Sequence, residues 1–469
     1  MNPAIGMFAR LAGVLVAALA GTSGCIMLEL SKVSATEKQA ARFGYVAGTV
    51  ESDSPGTPWM VVYAAMVPCD EDWRELLALA ARSEAGEAID MESGDVVDLV
   101  ERLRAKSVMA DHIVLQRPGF WYVQLAPGCY GIGAFADLNR NFHYDDEPVA
   151  PATASQDQLF ELKSGDRIEG LELVIQSEVR LKGDFDPLAM QVKTKFRTHK
   201  EQQLISVGEV AVAGELGDLA DKHFGAENAK IGYFEVFRFL WDVRPGIYFL
   251  EEYDPTRIPV LFVHGALGYP QEFAALVESL DRERFQPWVF FYPSGARLEN
   301  ISEFLTQTVV SLQFRHGFDD LVVVAHSMGG LVSRDFLMRL HRSVVDFPVR
   351  LFVSLATPWG GVPSAAKGVR SSPFVVPSWR DIAPGSDFLA GLFFEGPAEQ
   401  GIRRSLPEDV NFYLLFGVGD KTIPLSSAIR WEAVRDARAR WPLSYDHTGI
   451  LRSPEAAELL AEILTSEFR

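Results

Sequence analysis

Residues 321–335 read LVVVAHSMGGLVSRD. Five apolar residues, Leu321 to Ala325, run into Ser327, which is flanked by His326 and Met328 and followed at once by Gly329 and Gly330. A core strand continued by a helix has no need of a glycine pair at the junction. Either this is an ordinary turn, or the chain bends sharply there to hold one hydroxyl in the open.

The flanking sequence favours the second reading. Apolar runs alternate with helical stretches: PVLFVHG (259–265), a helix around Phe273 to Leu280, WVFFYP (288–293), a helix around Ile301 to Gln313, LVVVA, a helix around Gly329 to Leu340, RLFVSLA (350–356), NFYLLFG (411–417) and a last helix from Glu455. Near-continuous β-branched and aromatic runs separated by helices predict a mostly parallel sheet with helices on both faces. This rhythm occupies residues 183–469. In open α/β sheets, sites lie at the carboxyl ends of strands, where Ser327 is expected.

A serine hydroxyl is a weak nucleophile and needs exposure, a nearby base and donors for an oxyanion. A sharp strand-to-helix elbow supplies the exposure, and small residues two before and two after the serine, here Ala325 and Gly329, prevent collisions. Gly330 is expected to let the helix lie close to the strand. The elbow order is Ser, then Asp or Glu, then His, and His341 and His447 are the histidines that follow. His341 lies about fourteen residues along the helix, roughly 21 Å from its start, which leaves His447 as the base. Asp420 directly follows an apolar strand run and is the expected acid; Asp381 and Asp387 are runners-up, and Asp446 sits too close to the histidine in sequence. The N–H groups of Ala266, in the loop after VLFVHG, and of Met328 are the expected oxyanion donors. His264 and His326 are either orienting residues or satisfied structural histidines.

The amino-terminal half differs. Residues 44–182 carry short β-rich runs bounded by Gly, Pro, Asn and Asp, interrupted by a helical stretch from Asp70 to Lys106. They predict a small β-sandwich with a helical insertion and no catalytic constellation, loosely resembling the prealbumin-like sandwiches beside secreted enzymes; its protein partner is not readable. In DLNRNFHYDDE, Asp137, Asn139, Asn141 and Asp145 alternate as oxygen ligands do in a calcium loop. Phe142 and Pro148 break that pattern, and a polar turn bonding its own backbone is the competing reading.

At 469 residues, with 48% hydrophobic and 23% charged residues, the chain is globular and long enough for two domains. The formal net charge of −19 argues against nucleic acid, whose binding needs clustered Lys and Arg. Residues 1–24 read as a signal peptide, with Arg10 ahead of the apolar run Leu11 to Ala20. The segment TSGC resembles the lipobox of bacterial lipoproteins, although Thr22 replaces the usual Leu. That resemblance implies lipidation at Cys25, a tether over 25–43 and attachment to a membrane of the bacterial envelope; Ile26 points to the outer membrane. Cys69 and Cys129 are then left as a possible disulfide pair, if their Cα atoms come close enough.

FVHGALG, AHSMGG, LATPWGG, GVGDKTIP and DHTGIL, in this order, together resemble the α/β-hydrolase superfamily, near bacterial serine lipases and esterases and GPI inositol-deacylase-like hydrolases. The similarity runs from about Asp186 to Arg469. It implies a Ser327, Asp420, His447 triad, the Ala266 and Met328 oxyanion donors, acyl transfer through Ser327 and no cofactor. The expected substrate is a carboxylic or lipid ester. An acyltransferase or amidase on the same triad, and a non-catalytic binding or scaffold protein, are the rivals. Apolar residues from Phe374 to Phe394 form either a lid over the site or the core of ordinary crossover helices.

Overall fold

The computed structural model describes residues 32–33, 43–53, 59–90, 93–140, 144, 146–150, 158–180, 211–395 and 401–469. The expected signal peptide and Cys25 lie outside them, as do Asn141 and Asp145. The chain divides into two compact units, one spanning residues 37–211 and the other running from Val212 to Arg342 and from Asp346 to Arg469. The sequence suggested a boundary near residue 182, in a stretch that is itself outside the described residues.

The first unit has two small sheets. Strands β1 (Gly44–Ser52), β4 (Gly119–Leu125) and β7 (Arg167–Ile175) form one, in the order β4-β1-β7. Strands β2 (Trp59–Val67), β3 (Val108–Leu115), β5 (Gly128–Asp137) and β6 (Leu159–Leu162) form the other, in the order β3-β2-β5-β6. Alternate residues of both sheets, among them Val46, Val50, Met60, Val62, Trp121, Val123 and Ile132, share one core, the packing of a sandwich. The insertion forms helices Glu71–Glu84 and Gly94–Lys106, whose Trp73, Leu99 and Leu103 pack with Val67 and Cys129. Cys69 and Cys129 are disulfide-bonded with their Cα atoms 5.5 Å apart, which staples the start of the insertion to β5. Past β5 the backbone is left-handed at Arg140 (φ 60°) and Asp146 (φ 74°), and Glu147 accepts the Leu138 N–H at 2.6 Å. Among the described residues no cluster of His, Cys, Asp and Glu is arranged to hold a metal, and no helix is long and apolar enough to cross a membrane.

The second unit is built on an eight-stranded sheet: β8 (Val212–Leu216), β9 (Gly246–Phe249), β10 (Ile258–Val263), β11 (Phe285–Phe291), β12 (Leu321–His326), β13 (Val349–Leu355), β16 (Asn411–Gly417) and β17 (Ala439–Leu443). Its order is β17-β16-β13-β12-β10-β11-β9-β8. From β11 to β17 every pair is parallel, and β9 reverses against β11. A two-stranded ribbon, β14 (Phe394–Glu395) with β15 (Ile402–Arg403), stands apart from the sheet.

Both faces of the central strands are covered, which is why their sequences run apolar without alternation. Val260, Phe262, Val322 and Val324 share a cluster with Leu276, Leu460 and Ile463 from helices Ala274–Glu278 and Pro454–Glu467. Leu261, Val263 and Val323 point the other way and are equally buried; there helices Leu298–His316 and Met328–Ser343 meet, the Ser302 hydroxyl donating to the Val332 carbonyl at 3.2 Å. This is the α/β-hydrolase arrangement expected from the sequence, preceded by the expected sheet domain. Strands β6, β8 and β9 are additions; four or five residues each, they are too short for their apolar pattern to stand out.

Candidate active site

Strand β12 ends at His326 and the next helix begins at Met328, so the whole reversal falls on Ser327. Its φ is 54°, a left-handed conformation that costs a non-glycine residue on the order of 1 kcal/mol. The strain is held by the Ser327 N–H donating to the Leu355 carbonyl at 2.8 Å and by the Gly330 N–H donating to the Ser327 carbonyl at 2.9 Å. Close packing from β10 requires two glycines. A Cβ on Gly265 would lie 2.7 Å from Ser327 Cβ, and one on Gly329 would lie 2.4 Å from the carbonyl oxygens of both Val263 and His264. The helix therefore approaches the strand through Gly329 rather than through Gly330, which instead abuts the Thr357 side chain.

His447 joins the serine from the loop after β17. Its Nε2 is 2.9 Å from Ser327 Oγ and its Nδ1 is 2.7 Å from Asp420 Oδ2. The second oxygen, Oδ1, accepts the Thr422 and Ile423 N–H groups at 2.7 and 2.9 Å, so the carboxylate is held from both sides. Burial pushes the Asp420 carboxyl up, but the hydrogen bond from His447, the His447 charge and the two N–H groups outweigh it and leave it below its ordinary range. With side-chain exposures of 16% and 3% for His447 and Asp420, the acid lies deep and the base nearer solvent. The structure thus brings Ser327, Asp420 and His447 together.

The loop after β10 lies against the serine through Gly265. His264 Nε2 accepts the Tyr292 N–H at 3.4 Å, so the proton of its ring sits on Nδ1, which donates to the Gly265 carbonyl at 2.9 Å. Burial lowers the His264 pKa to about 4 and keeps the ring neutral. The Gly268 N–H binds the same carbonyl at 3.1 Å. In a trans peptide the Gly265 C=O and the Ala266 N–H point in opposite directions, so these two bonds turn the Ala266 N–H away from them. Met328 is the first residue of its helix, and the first N–H groups of a helix have no intrahelical acceptor.

Three residues that brace this loop escaped the sequence reading. Tyr292 hydroxyl donates to the His264 carbonyl, Ser294 Oγ accepts the Leu267 N–H at 3.1 Å, and Glu272 Oε2 accepts the Tyr269 N–H at 3.3 Å. Tyr292 and Ser294 stand at the end of an apolar strand run, but their partners lie on a loop remote in sequence, and the burial of Glu272 has no mark in the sequence. Glu272 Oε1 has no hydrogen-bond donor among the described residues. Burial, only partly offset by the Tyr269 bond and the charge of Arg452, raises its pKa from 4.5 to about 7. A raised carboxyl binds its proton more tightly in the folded chain, so its contribution is present at low pH and lost as pH climbs through that window. Glu272→Gln cannot ionise, and is expected to gain stability relative to the unsubstituted chain between pH 4.5 and 7, by up to roughly 3 kcal/mol. Melting curves at pH 5 and pH 8 check this; a stability difference independent of pH would refute it.

The competing acids serve elsewhere. Asp381 is buried, pairs with Arg297 at 2.7 Å and caps the helix after it through the Leu298 N–H at 2.8 Å. Asp387 starts the short helix Asp387–Gly391, and Asp446 accepts the Gly449 N–H at 2.7 Å. His341 packs edge-on against Phe347. Between Asp420 and His447 stand two short helices, Leu425–Ala428 and Trp431–Asp436, and β17. In the segment considered as a lid, Val376, Trp379, Leu389, Leu392 and Phe393 are buried, as in ordinary crossover helices, while Phe374, Val375, Phe388 and Phe394 are half-buried. The Arg297 pair and a 2.9 Å bond from buried Arg334 Nε to the Leu392 carbonyl fasten it to the body.

Comparison with known proteins adds a match to the family model for lecithin:cholesterol acyltransferase over residues 298–373, the stretch holding the Ser327 turn and β13. No curated protein matches the chain. Among solved structures, lipase B of Aspergillus fumigatus is similar at 16% identity, covering 47% of this chain and 56% of that one, with a TM-score of 0.38. A structure from a study of carboxylesterases of the Thaumarchaeon Nitrososphaera gargenis is similar at 12% identity over 48% and 95%, TM-score 0.33. The product of the gene lin2722 of Listeria innocua is similar at 16% identity over 45% and 95%, TM-score 0.35.

Proposed function

We propose that this chain is a serine hydrolase that cleaves carboxylic or lipid esters through an acyl-enzyme on Ser327. The observation that carries the reading is the pair of hydrogen bonds joining Ser327 Oγ, His447 and Asp420 at 2.9 and 2.7 Å, with the serine on a left-handed elbow. Oγ attacks the ester carbonyl carbon while its proton passes to His447 Nε2. The Ala266 and Met328 N–H groups receive the negative charge on the carbonyl oxygen. Collapse breaks the bond to the alkoxy oxygen, His447 returns the proton to it, and the alcohol leaves. Water then attacks the Ser327 ester by the same route, with the charge that forms on His447 opposed by Asp420.

A second reading, transfer of the acyl group to an alcohol, draws on the acyltransferase family model matched over 298–373. The same base activates either acceptor. Incubating the intact chain with chromogenic esters of increasing acyl length, with and without an added alcohol, tests both. A hydrolase yields mainly free acid, and a transferase mainly new ester. If neither turnover nor fluorophosphonate labelling is seen with any acyl length, both readings are lost. Attachment to an envelope membrane through Cys25 is part of the proposal and rests on the sequence alone; labelled palmitate that enters Cys25→Ala as readily as the native chain would remove it.

A further inference from the structure

The imidazole of His326, one residue before the serine, faces the loop that carries the base. Its Nε2 lies 2.8 Å from the main-chain carbonyl oxygen of His447, across 121 residues of sequence, and the two rings are 4.8 Å apart between centroids. A carbonyl oxygen accepts, so Nε2–H is the donor. Burial, reinforced by the neighbouring His447, lowers the His326 pKa to about 3. The ring therefore stays neutral, and its one N–H is committed to this bond.

The geometry around it gives the bond its meaning. The acid and base loops are already joined through their main chains: the Val418 N–H donates to the Leu443 carbonyl at 2.9 Å, and Gly417 lies so close that a Cβ there would be 2.4 Å from the Tyr445 carbonyl oxygen. The serine turn is anchored to β13 through the Leu355 carbonyl, and β13 pairs in turn with β16, which leads into the acid loop. His326 adds a direct bond from the strand of the nucleophile to the base loop.

Resting on the reading of Ser327 as nucleophile and His447 as base, we propose that His326 is a positioning residue, whose Nε2–H locks the main chain of the base to the strand that carries the nucleophile. The 2.9 Å reach between His447 Nε2 and Ser327 Oγ is then set by the backbone as well as by the side-chain bond itself. That matters because proton transfer depends steeply on reach, and a displacement of about 1 Å can cost on the order of 100-fold in rate.

The test compares His326→Phe, which keeps a ring of similar volume and has no donor, with His326→Gln, whose amide nitrogen sits the same number of bonds from Cα and can donate. The expected result is that His326→Phe lowers kcat by up to about 100-fold with KM little changed, while His326→Gln stays within about fivefold of the unsubstituted chain. Fluorophosphonate labelling rates should follow the same order. Melting curves accompany both variants, and His326→Met replaces the phenylalanine variant if the latter does not fold. The proposal is overturned if the donor-free variant keeps full activity, or if it outperforms His326→Gln, as a packing role requires. Lack of all activity and labelling in the unsubstituted chain would instead sink the hydrolase reading, and this proposal with it.

Discussion

Ser327→Ala is expected to lower kcat on any ester the chain turns over by roughly 10⁴- to 10⁶-fold and to abolish fluorophosphonate labelling. The substitution removes one oxygen and leaves the base, the acid and the oxyanion loop in place, so residual activity measures what binding and the loop supply without a covalent step. Stability separates this from a folding defect. Alanine keeps the Cβ and therefore the strain of the 54° φ at position 327. Ser327→Gly releases that strain and should melt higher than Ser327→Ala, by a margin on the order of 1 kcal/mol, while being equally inactive. Retention of more than a percent or so of turnover in either variant, far above the residual expected without the nucleophile, would mean that the nucleophile lies elsewhere.

Asp420→Asn should cost on the order of 10⁴-fold in kcat with little change in fold. The native carboxylate can only accept at His447 Nδ1, so it fixes the proton there and leaves Nε2 free to take the proton of Ser327. An asparagine amide can donate at the same place, which favours the opposite tautomer and blocks Nε2. Deletion of charge also removes the group that opposes the positive imidazole formed during acylation. The control is Asp381→Asn, at one of the two other acids the sequence had left open. It weakens the pair between buried Asp381 and half-exposed Arg297 and the cap on Leu298, so it should lower the melting temperature and leave the tautomer of His447 untouched. A greater loss of kcat in a folded Asp381→Asn than in Asp420→Asn would reverse the assignment.

Legibility in the sequence followed the distance over which each feature is decided. The central strands were readable because a strand buried on both faces is apolar at every position, a pattern that survives without its neighbours. The elbow was readable because a left-handed turn packed against a strand excludes side chains locally, and Gly329 marks it. Asp420 and His447 were approachable because order along the chain and strand-end placement left few candidates. The bracing residues were not. Tyr292, Ser294 and Glu272 act on a loop that begins at Gly265, and nothing in a tyrosine or serine at a strand end says which carbonyl or N–H it will meet. His326 shows the same boundary: the sequence left it between an orienting and a merely satisfied histidine.

By itself the sequence determined the class of sheet, the sandwich that precedes it, and a sharp turn at Ser327, since hydrophobic periodicity and the steric demands of glycine act within a few residues. Tertiary structure alone decided that Cys69 and Cys129 meet, that Gly329 rather than Gly330 takes the close approach, that Val376, Trp379, Leu389, Leu392 and Phe393 are buried, and that His326 reaches the carbonyl of His447. Each of these is a contact between separately placed backbones. Hydrogen bonds and van der Waals contacts fall away within an ångström or so of their optimum, and distances of that kind exist only once the sheet has set where its strands end.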